Sequence, residues 1–219
     1  MPDLYYMALS APCRSVMMTA KAIGLPLNLK PLNLLAGEQN RPEFVRMNPE
    51  HTVPTLDDDG FYLAESRAIC AYLVQKYAKN DRLYPKDPKE RAIVDQRLYF
   101  DATTFYQTFS DFYYPTIFRG KGPMGDDIKK RFEDASAHLD TYLSRSKYAA
   151  GDHLTIADLC LLASAATMEA VDDRVFADRS HIRKWLDTCR SQVDCYQELN
   201  QEGANAFGQM AKVALAKNK

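Results

Sequence analysis

Residues 52–66 read TVPTLDDDGFYLAES, and this stretch decides how the N-terminal part of the chain folds. Asp59-Gly60 is a two-residue hairpin signal, and short runs with β-branched or aromatic residues flank it. Two antiparallel strands are therefore predicted. Directly after them, SRAICAYLVQKYA (66–78) sets Ile69, Tyr72, Leu73 and Tyr77 at helical spacing. Before them, RPEFVRMNPE (41–50) predicts a short helix that stops at Asn48-Pro49, since a residue ahead of proline avoids the α region. Further back, Leu25–Leu35 alternates apolar with polar residues and reads as a strand. Pro12–Ile23 is helical, with Val16, Met17, Ala20 and Ile23 on one face. Pro12 suits its first turn and Gly24 its stop. Leu4–Met7 is a brief apolar strand. The predicted order is β-α-β-α-β-β-α, a compact α/β unit.

After this unit the strand signals cease. Residues 1–80 form the α/β domain in this reading, and 81–89 a charged, proline-containing linker. Residues 90–219 form an all-helical domain. Long helical patterns cover Ile93–Phe118, Asp127–Leu143, Thr155–Val171 and Ser180–Ser191. In GDHLTIADLCLLA, Thr155 followed three residues later by Asp158 predicts a capping box closed by a carboxylate. The helix behind it is almost wholly apolar and belongs in a core.

The chain has 219 residues and a formal net charge of -1, which gives no global electrostatic case for nucleic acid or an anionic membrane. Its five scattered cysteines contain no CxxC pair, which argues for a reducing compartment. There is no signal-peptide pattern, and no uncharged run approaches the roughly 20 residues of a membrane span. A cytoplasmic protein is expected.

Some motifs carry little. GKGPMG (120–125) matches the dinucleotide spacing G-x-G-x-x-G, but it follows an aromatic helical segment rather than a strand and contains Pro123. It reads as an interhelical loop. Asp57–Asp59 lacks the ligand spacing of a calcium loop and reads as a solvated turn. The four histidines have no metal-ligand spacing, so no metal is expected.

Other motifs carry more. In HTVPT, Pro54 cannot donate to a ladder. Either it lies on an edge strand, or a cis bond at this point exposes the backbone of Val53 to a ligand. In AESRAI, Glu65 and Ser66 fall where a helix begins. Ser66 either only caps that helix or donates to a ligand carboxylate, with Glu65 placed to bind an ammonium group. A ligand bearing both groups along an extended strand is an amino acid or short peptide. Finally, ALSAPC places Ser10 and Cys13 at the junction of strand and helix as two candidate catalysts.

Together SAPCRSV (10–16), NLLAGEQNRPEF (33–44), NPEHTVPTLDDDGFYLAESRAI (48–69), the linker and YAAGDHLTIADLCL (148–161) resemble the cytosolic glutathione transferases. The spelling Glu65-Ser66-Arg67 points to the insect delta class rather than the epsilon class. The resemblance implies a thioredoxin-like N-terminal domain that binds glutathione as co-substrate, with no further cofactor. It also implies a helical domain supplying a hydrophobic pocket, and a homodimer. By the same matching, Ser10 is the catalytic residue and His51 reaches the glycyl carboxylate. Val53 pairs with the cysteinyl unit ahead of a cis Pro54, and Glu65, Ser66 and Arg67 hold the γ-glutamyl end. Insecticide detoxification, including dehydrochlorination, lies within the family. Two positions depart from its usual spelling. Met7-Ala8-Leu9 stands where Pro-Gly often precedes the serine, and Gln39 stands where a second histidine often sits.

A thiol attacks as its thiolate, and a free thiol of pKa ~8.5 is mostly protonated at neutral pH. Serine is no base, but it can donate a hydrogen bond to the thiolate, aided by the positive end of the helix at Pro12. Cys13 is the rival, and packing against Val16 and Met17 is the commoner fate of a lone cysteine. For the electrophile, Tyr106, Phe109, Tyr113 and Phe118 are the expected apolar contacts, with Phe207 on a covering tail. Phe105, Phe109 and Tyr113 form an i, i+4, i+8 stripe that equally suits a core. Tyr99 is a candidate for a dimer contact. Two non-enzymatic readings compete, a protein that sequesters hydrophobic ligands and a scaffold in a translation complex. Neither needs Ser10, His51, Glu65 and Ser66 together.

Overall fold

The computed structural model describes residues 1–121 and 125–217. Four short strands, β1 (Asp3–Tyr6), β2 (Asn28–Pro31), β3 (Thr55–Asp58) and β4 (Phe61–Leu63), form one sheet in the order β2-β1-β3-β4. β1 runs parallel to β2 and antiparallel to β3, so Leu4 faces Leu29 on one side and Leu56 on the other. The hairpin expected around Asp59-Gly60 pairs Asp58 with Phe61. Gly60 takes φ +83, a left-handed value open to glycine, and its N–H donates to the Asp57 carboxylate at 2.8 Å. Asp58 instead accepts from Lys76, Tyr72 and Tyr77. The acidic run thus holds a turn and a helix. Pro54 is not on an edge strand: β3 lies between β1 and β4, and the cis Val53–Pro54 bond precedes the ladder.

Helix α1 (Ala11–Ala22) crosses from β1 to β2, α2 (Pro42–Met47) lies before β3, and α3 (Ser66–Tyr77) follows β4. Leu4, Val16, Leu56, Ile69 and Leu73 form the core of this domain, extended by Ile156, Ala157 and Cys160 of the helical domain. The expected strand over Leu25–Leu35 is shorter. It ends at Pro31, and Asn33 then turns the chain by accepting the Leu35 and Ala36 amides at 3.1 and 3.2 Å.

The helical domain contains α4 (Pro88–Phe100), α5 (Tyr106–Arg119), α6 (Asp126–Leu143), α7 (Ile156–Val171), α8 (Ser180–Gln192) and α9 (Glu202–Lys217). Helix α4 starts ahead of the expected Ile93 because Asp87 caps it, accepting from Lys89 and Glu90 at 2.9 and 3.0 Å. A π turn at Asp101–Phe105 interrupts the expected single helix before α5. Glu202–Lys217 is a helix, not a tail. A second π turn, Gln197–Gln201, leads into α9, whose buried face is largely Gly203, Ala204, Gly208 and Ala211. Such small residues leave a faint apolar signal, and the glycines weaken local helix propensity. The GxGxxG match begins at Gly120, which ends α5, but Gly122, Pro123 and Met124 lie outside the described residues.

The capping residue Asp158 does more than start α7. Its carboxylate accepts the Thr155 amide at 2.9 Å, the Ala149 amide at 2.7 Å and the Trp185 indole N–H at 2.9 Å. This ties three segments to the central helix. Among the described residues, no helix is long and apolar enough to cross a membrane.

Candidate functional site

A cavity of about 320 Å³ opens where the β1–α1 turn meets α5 and α9. Ser10, Gln39, His51 and Val53 supply its polar side, and Tyr106, Tyr114, Phe118 and Phe207 its aromatic wall. Larger clefts exist elsewhere, one of them about 450 Å³ near Met18, Ala78 and Leu154, but neither Ser10 nor His51 reaches it.

Ser10 sits here because the strand must turn into α1 at Pro12. Its N–H donates to the Met7 carbonyl at 3.0 Å, and its side-chain oxygen accepts the Cys13 amide at 3.4 Å, a long contact for a cap. Cys13 is fully buried, and burial pushes its thiol up to about 11 in spite of Ser10 and Arg14 nearby. A thiol held so firmly protonated is packing, not a nucleophile.

His51 takes φ +43 and holds its place through an amide hydrogen bond to the Asn48 carbonyl at 2.9 Å. The neighbouring Val53 backbone has no backbone partner among the described residues. Pro54 is buried beneath it and does not line the cavity. Gln39 lines the cavity with its Oε1 buried and unpartnered among the described residues.

Glu65, Ser66 and Arg67 lie beyond the cavity wall. Glu65 is exposed at φ +67 at the head of α3, and its side chain does not cap the helix. The Ser66 hydroxyl is buried and accepts from Arg67 Nη1 at 3.1 Å. Arg67 turns its guanidinium to the fully buried Asp101, with Nε and Nη2 at 3.0 and 2.5 Å from Oδ2. Ser164 donates to the other carboxylate oxygen at 2.8 Å. Burial would lower the Arg67 pKa, but Asp101 more than offsets it and raises it above its ordinary value. The guanidinium also lies 5.6 Å from the Tyr106 ring centroid, which connects this ion pair to the cavity wall.

Of the five aromatic residues expected at an electrophile site, the cavity collects Tyr106, Phe118 and Phe207. Phe109 is fully buried, packed on Phe132, Tyr113 and Phe207. Tyr113 lines a separate cleft with Phe112 and Phe132. The stripe Phe105–Phe109–Tyr113 is the core face of its helical stretch, and the adjacent face presents Tyr106, Tyr114 and Phe118. Tyr106 and Tyr114 share a hydroxyl contact of 2.6 Å, and burial pushes both phenols up, so the wall is neutral.

Sequence reasoning also missed Arg14, one residue past Cys13. The guanidinium is 1% exposed and, among the described residues, faces no carboxylate. It donates to the Ala8 carbonyl at 3.2 Å and the Leu9 carbonyl at 3.0 Å. On its other side it donates to Asn200 Oδ1 at 2.9 Å, to the Ala163 carbonyl at 3.3 Å and to the Thr167 hydroxyl. A charge among residues 11–20, which otherwise carry only apolar or small hydroxyl side chains, is the signal that could have found it.

Comparison with known proteins matches residues 4–81 to the N-terminal domain family of glutathione S-transferases and residues 116–192 to the C-terminal domain family. A delta-class glutathione transferase of Nilaparvata lugens is 50% identical, with 98% of this chain and 100% of that one covered at a TM-score of 0.94. An epsilon-class glutathione S-transferase of the housefly, Musca domestica, is 37% identical over 98% of each chain, with a TM-score of 0.92. A glutathione transferase homologue of Drosophila mojavensis, solved with glutathione bound, is 34% identical over 97% of each chain, with a TM-score of 0.89. With both domains matched in order and the delta-class enzyme nearer than the epsilon-class one, this chain belongs to the glutathione S-transferase family and is a glutathione transferase of the insect delta type.

Proposed function

We propose that this transferase ionises the thiol of glutathione at Ser10 and conjugates the thiolate to hydrophobic electrophiles, in the manner of cytoplasmic detoxification of foreign compounds. The observation that carries this reading is the cavity itself, polar at Ser10, Gln39, His51 and Val53 and aromatic on the facing wall. Glutathione lies on the polar side, with His51 at its glycyl carboxylate and the Val53 backbone on its cysteinyl unit. Glu65 and Ser66 take the γ-glutamyl end, where α3 begins. Arg67 acts there through Ser66, since Asp101 occupies its guanidinium.

The Ser10 hydroxyl donates to the developing thiolate, and the positive end of α1 favours the same charge. The thiol proton leaves to solvent. The sulfur lone pair then forms the carbon–sulfur bond, and the leaving group departs with its electron pair. The electrophile rests on Tyr106, Tyr114, Phe118 and Phe207. Exposed Phe61 and Tyr62 on β4, with Ile93 and Tyr99 on α4, offer apolar surface for a second copy of the chain and support a homodimer.

Ser10→Ala tests the assignment. Turnover of chlorodinitrobenzene is expected to fall about 10²-fold, as for loss of one donor to a developing anion, with glutathione affinity nearly kept. Unchanged turnover would remove Ser10 from the reaction.

A further inference from the structure

Among the described residues, Arg14 is a buried cation without a counterion. Each of its five acceptors among the described residues is a neutral oxygen: three main-chain carbonyls, the Asn200 amide and the Thr167 hydroxyl. Desolvating a charge in this way is costly, and proteins ordinarily offset the cost with an acid. The titratable groups facing the guanidinium are Cys13 on its own helix, Tyr106 and Tyr114 from α5, and Tyr196 ahead of α9. None is a carboxylate. Burial lowers the Arg14 pKa to about 10, which still leaves the group charged at neutral pH.

Its position is equally specific. Nη1 grips the carbonyls of Ala8 and Leu9, the two residues that lead into Ser10. Here this chain carries Met7-Ala8-Leu9. Asn200 reaches Nε from the π turn that opens α9, and its own Nδ2 is buried without a partner among the described residues. Gly203 closes over the same turn, because a Cβ there would stand 2.3 Å from the Ala8 carbonyl oxygen and 2.8 Å from Arg14 Cδ.

We propose that Arg14, held by Asn200, is a positioning residue for Ser10, and that its unpaired charge lowers the pKa of the thiol bound there. This rests on the reading of Ser10 as the thiolate's donor. The clamp fixes where the hydroxyl points. The uncompensated positive charge, one helical turn beyond Ser10, favours an anion in the cavity across a medium of low dielectric. An acid beside Arg14 would satisfy the guanidinium equally well and cancel that field, which accounts for an amide at position 200.

Asn200→Asp is the direct test, because it keeps the shape and the acceptor while pairing the charge. The readouts are the thiolate ultraviolet absorbance of enzyme-bound glutathione against pH, and the pH profile of kcat/KM. We expect the bound thiol's pKa to rise by about one unit, with turnover about tenfold lower at neutral pH and recovering as pH rises. Arg14→Lys keeps the cation without the fork, and should raise the thiol pKa by less than Asn200→Asp does while kcat falls. Folded Asn200→Asp protein with an unchanged thiol pKa would overturn the proposal, as would Arg14→Lys raising that pKa as far as Asn200→Asp does. Ser10→Ala in the same titration separates the two readings, since an unshifted thiol there would strike the Ser10 assignment whatever Asn200→Asp does.

Discussion

Two arginines flank the same cavity and are held in opposite ways. Arg67, at the start of α3, meets the buried carboxylate of Asp101 on the π turn between α4 and α5. Arg14, in the first turns of α1, meets the amide of Asn200 on the π turn before α9. Each π turn supplies the polar partner that a regular helix would have aimed elsewhere. The electrostatic results differ. The Arg67–Asp101 pair is neutral overall and works as a crosspiece between the domains, whereas Arg14 leaves a net positive charge beneath the Ala8–Leu9 turn. One arginine therefore contributes to holding the domains together, and the other to the potential in which a bound thiol ionises.

The largest expected effect comes from breaking the neutral pair. Asp101→Ala leaves Arg67 as an unpaired buried charge and deprives Ser164 of its acceptor. It should cost about 3–5 kcal/mol in denaturant unfolding, and Arg67→Met with Asp101→Leu should recover most of that loss. If Asp101→Ala unfolds at the parent's midpoint, the pair is not a crosspiece. A smaller effect is expected at the other arginine. Gly203→Ala drives a methyl into the Ala8 carbonyl and Arg14 Cδ, and should cost about 1–3 kcal/mol while lowering kcat more than glutathione affinity. Equal changes in kcat and affinity would show that α9 does not bear on Ser10 through this turn.

The smallest effect concerns a third pair at the sheet surface. Burial pushes the Asp58 carboxyl up, but hydrogen bonds from Lys76, Tyr72 and Tyr77 outweigh it and hold it at about 2. A carboxylate depressed on folding stabilises above its unfolded pKa, near 4, and loses that contribution as pH falls toward 2. Asp58→Asn should flatten the acid limb of stability between those values and leave the thiol titration untouched. An unaltered acid limb would show that the rim pair contributes nothing.

Much of the fold was legible because its signals are local. The hairpin at Asp59-Gly60, α3 with its Ile69, Tyr72, Leu73 and Tyr77 spacing, and the Thr155–Asp158 cap each depend on residues a few positions apart. The site was legible in part. Ser10, His51 and Val53 meet at one cavity, with Tyr106, Phe118 and Phe207 facing them. Phe109 and Tyr113 do not line that cavity, since one aromatic stripe cannot declare whether it meets a core or a cleft. Helix α9 was missed because, apart from Phe207, its buried face is made of glycine and alanine.

The sequence by itself determined the order of elements in the N-terminal domain, the hairpin, the capping box and the residue types at the candidate site, since neighbours along the chain set those. Only the tertiary structure decided what surrounds the two arginines. Arg14 finds Asn200 across 186 residues, Ala163 across 149 and Thr167 across 153. Arg67 finds Asp101 across 34. Whether a buried charge is paired depends on which acceptors packing brings to it, and no spacing within α1 or α3 carries that information.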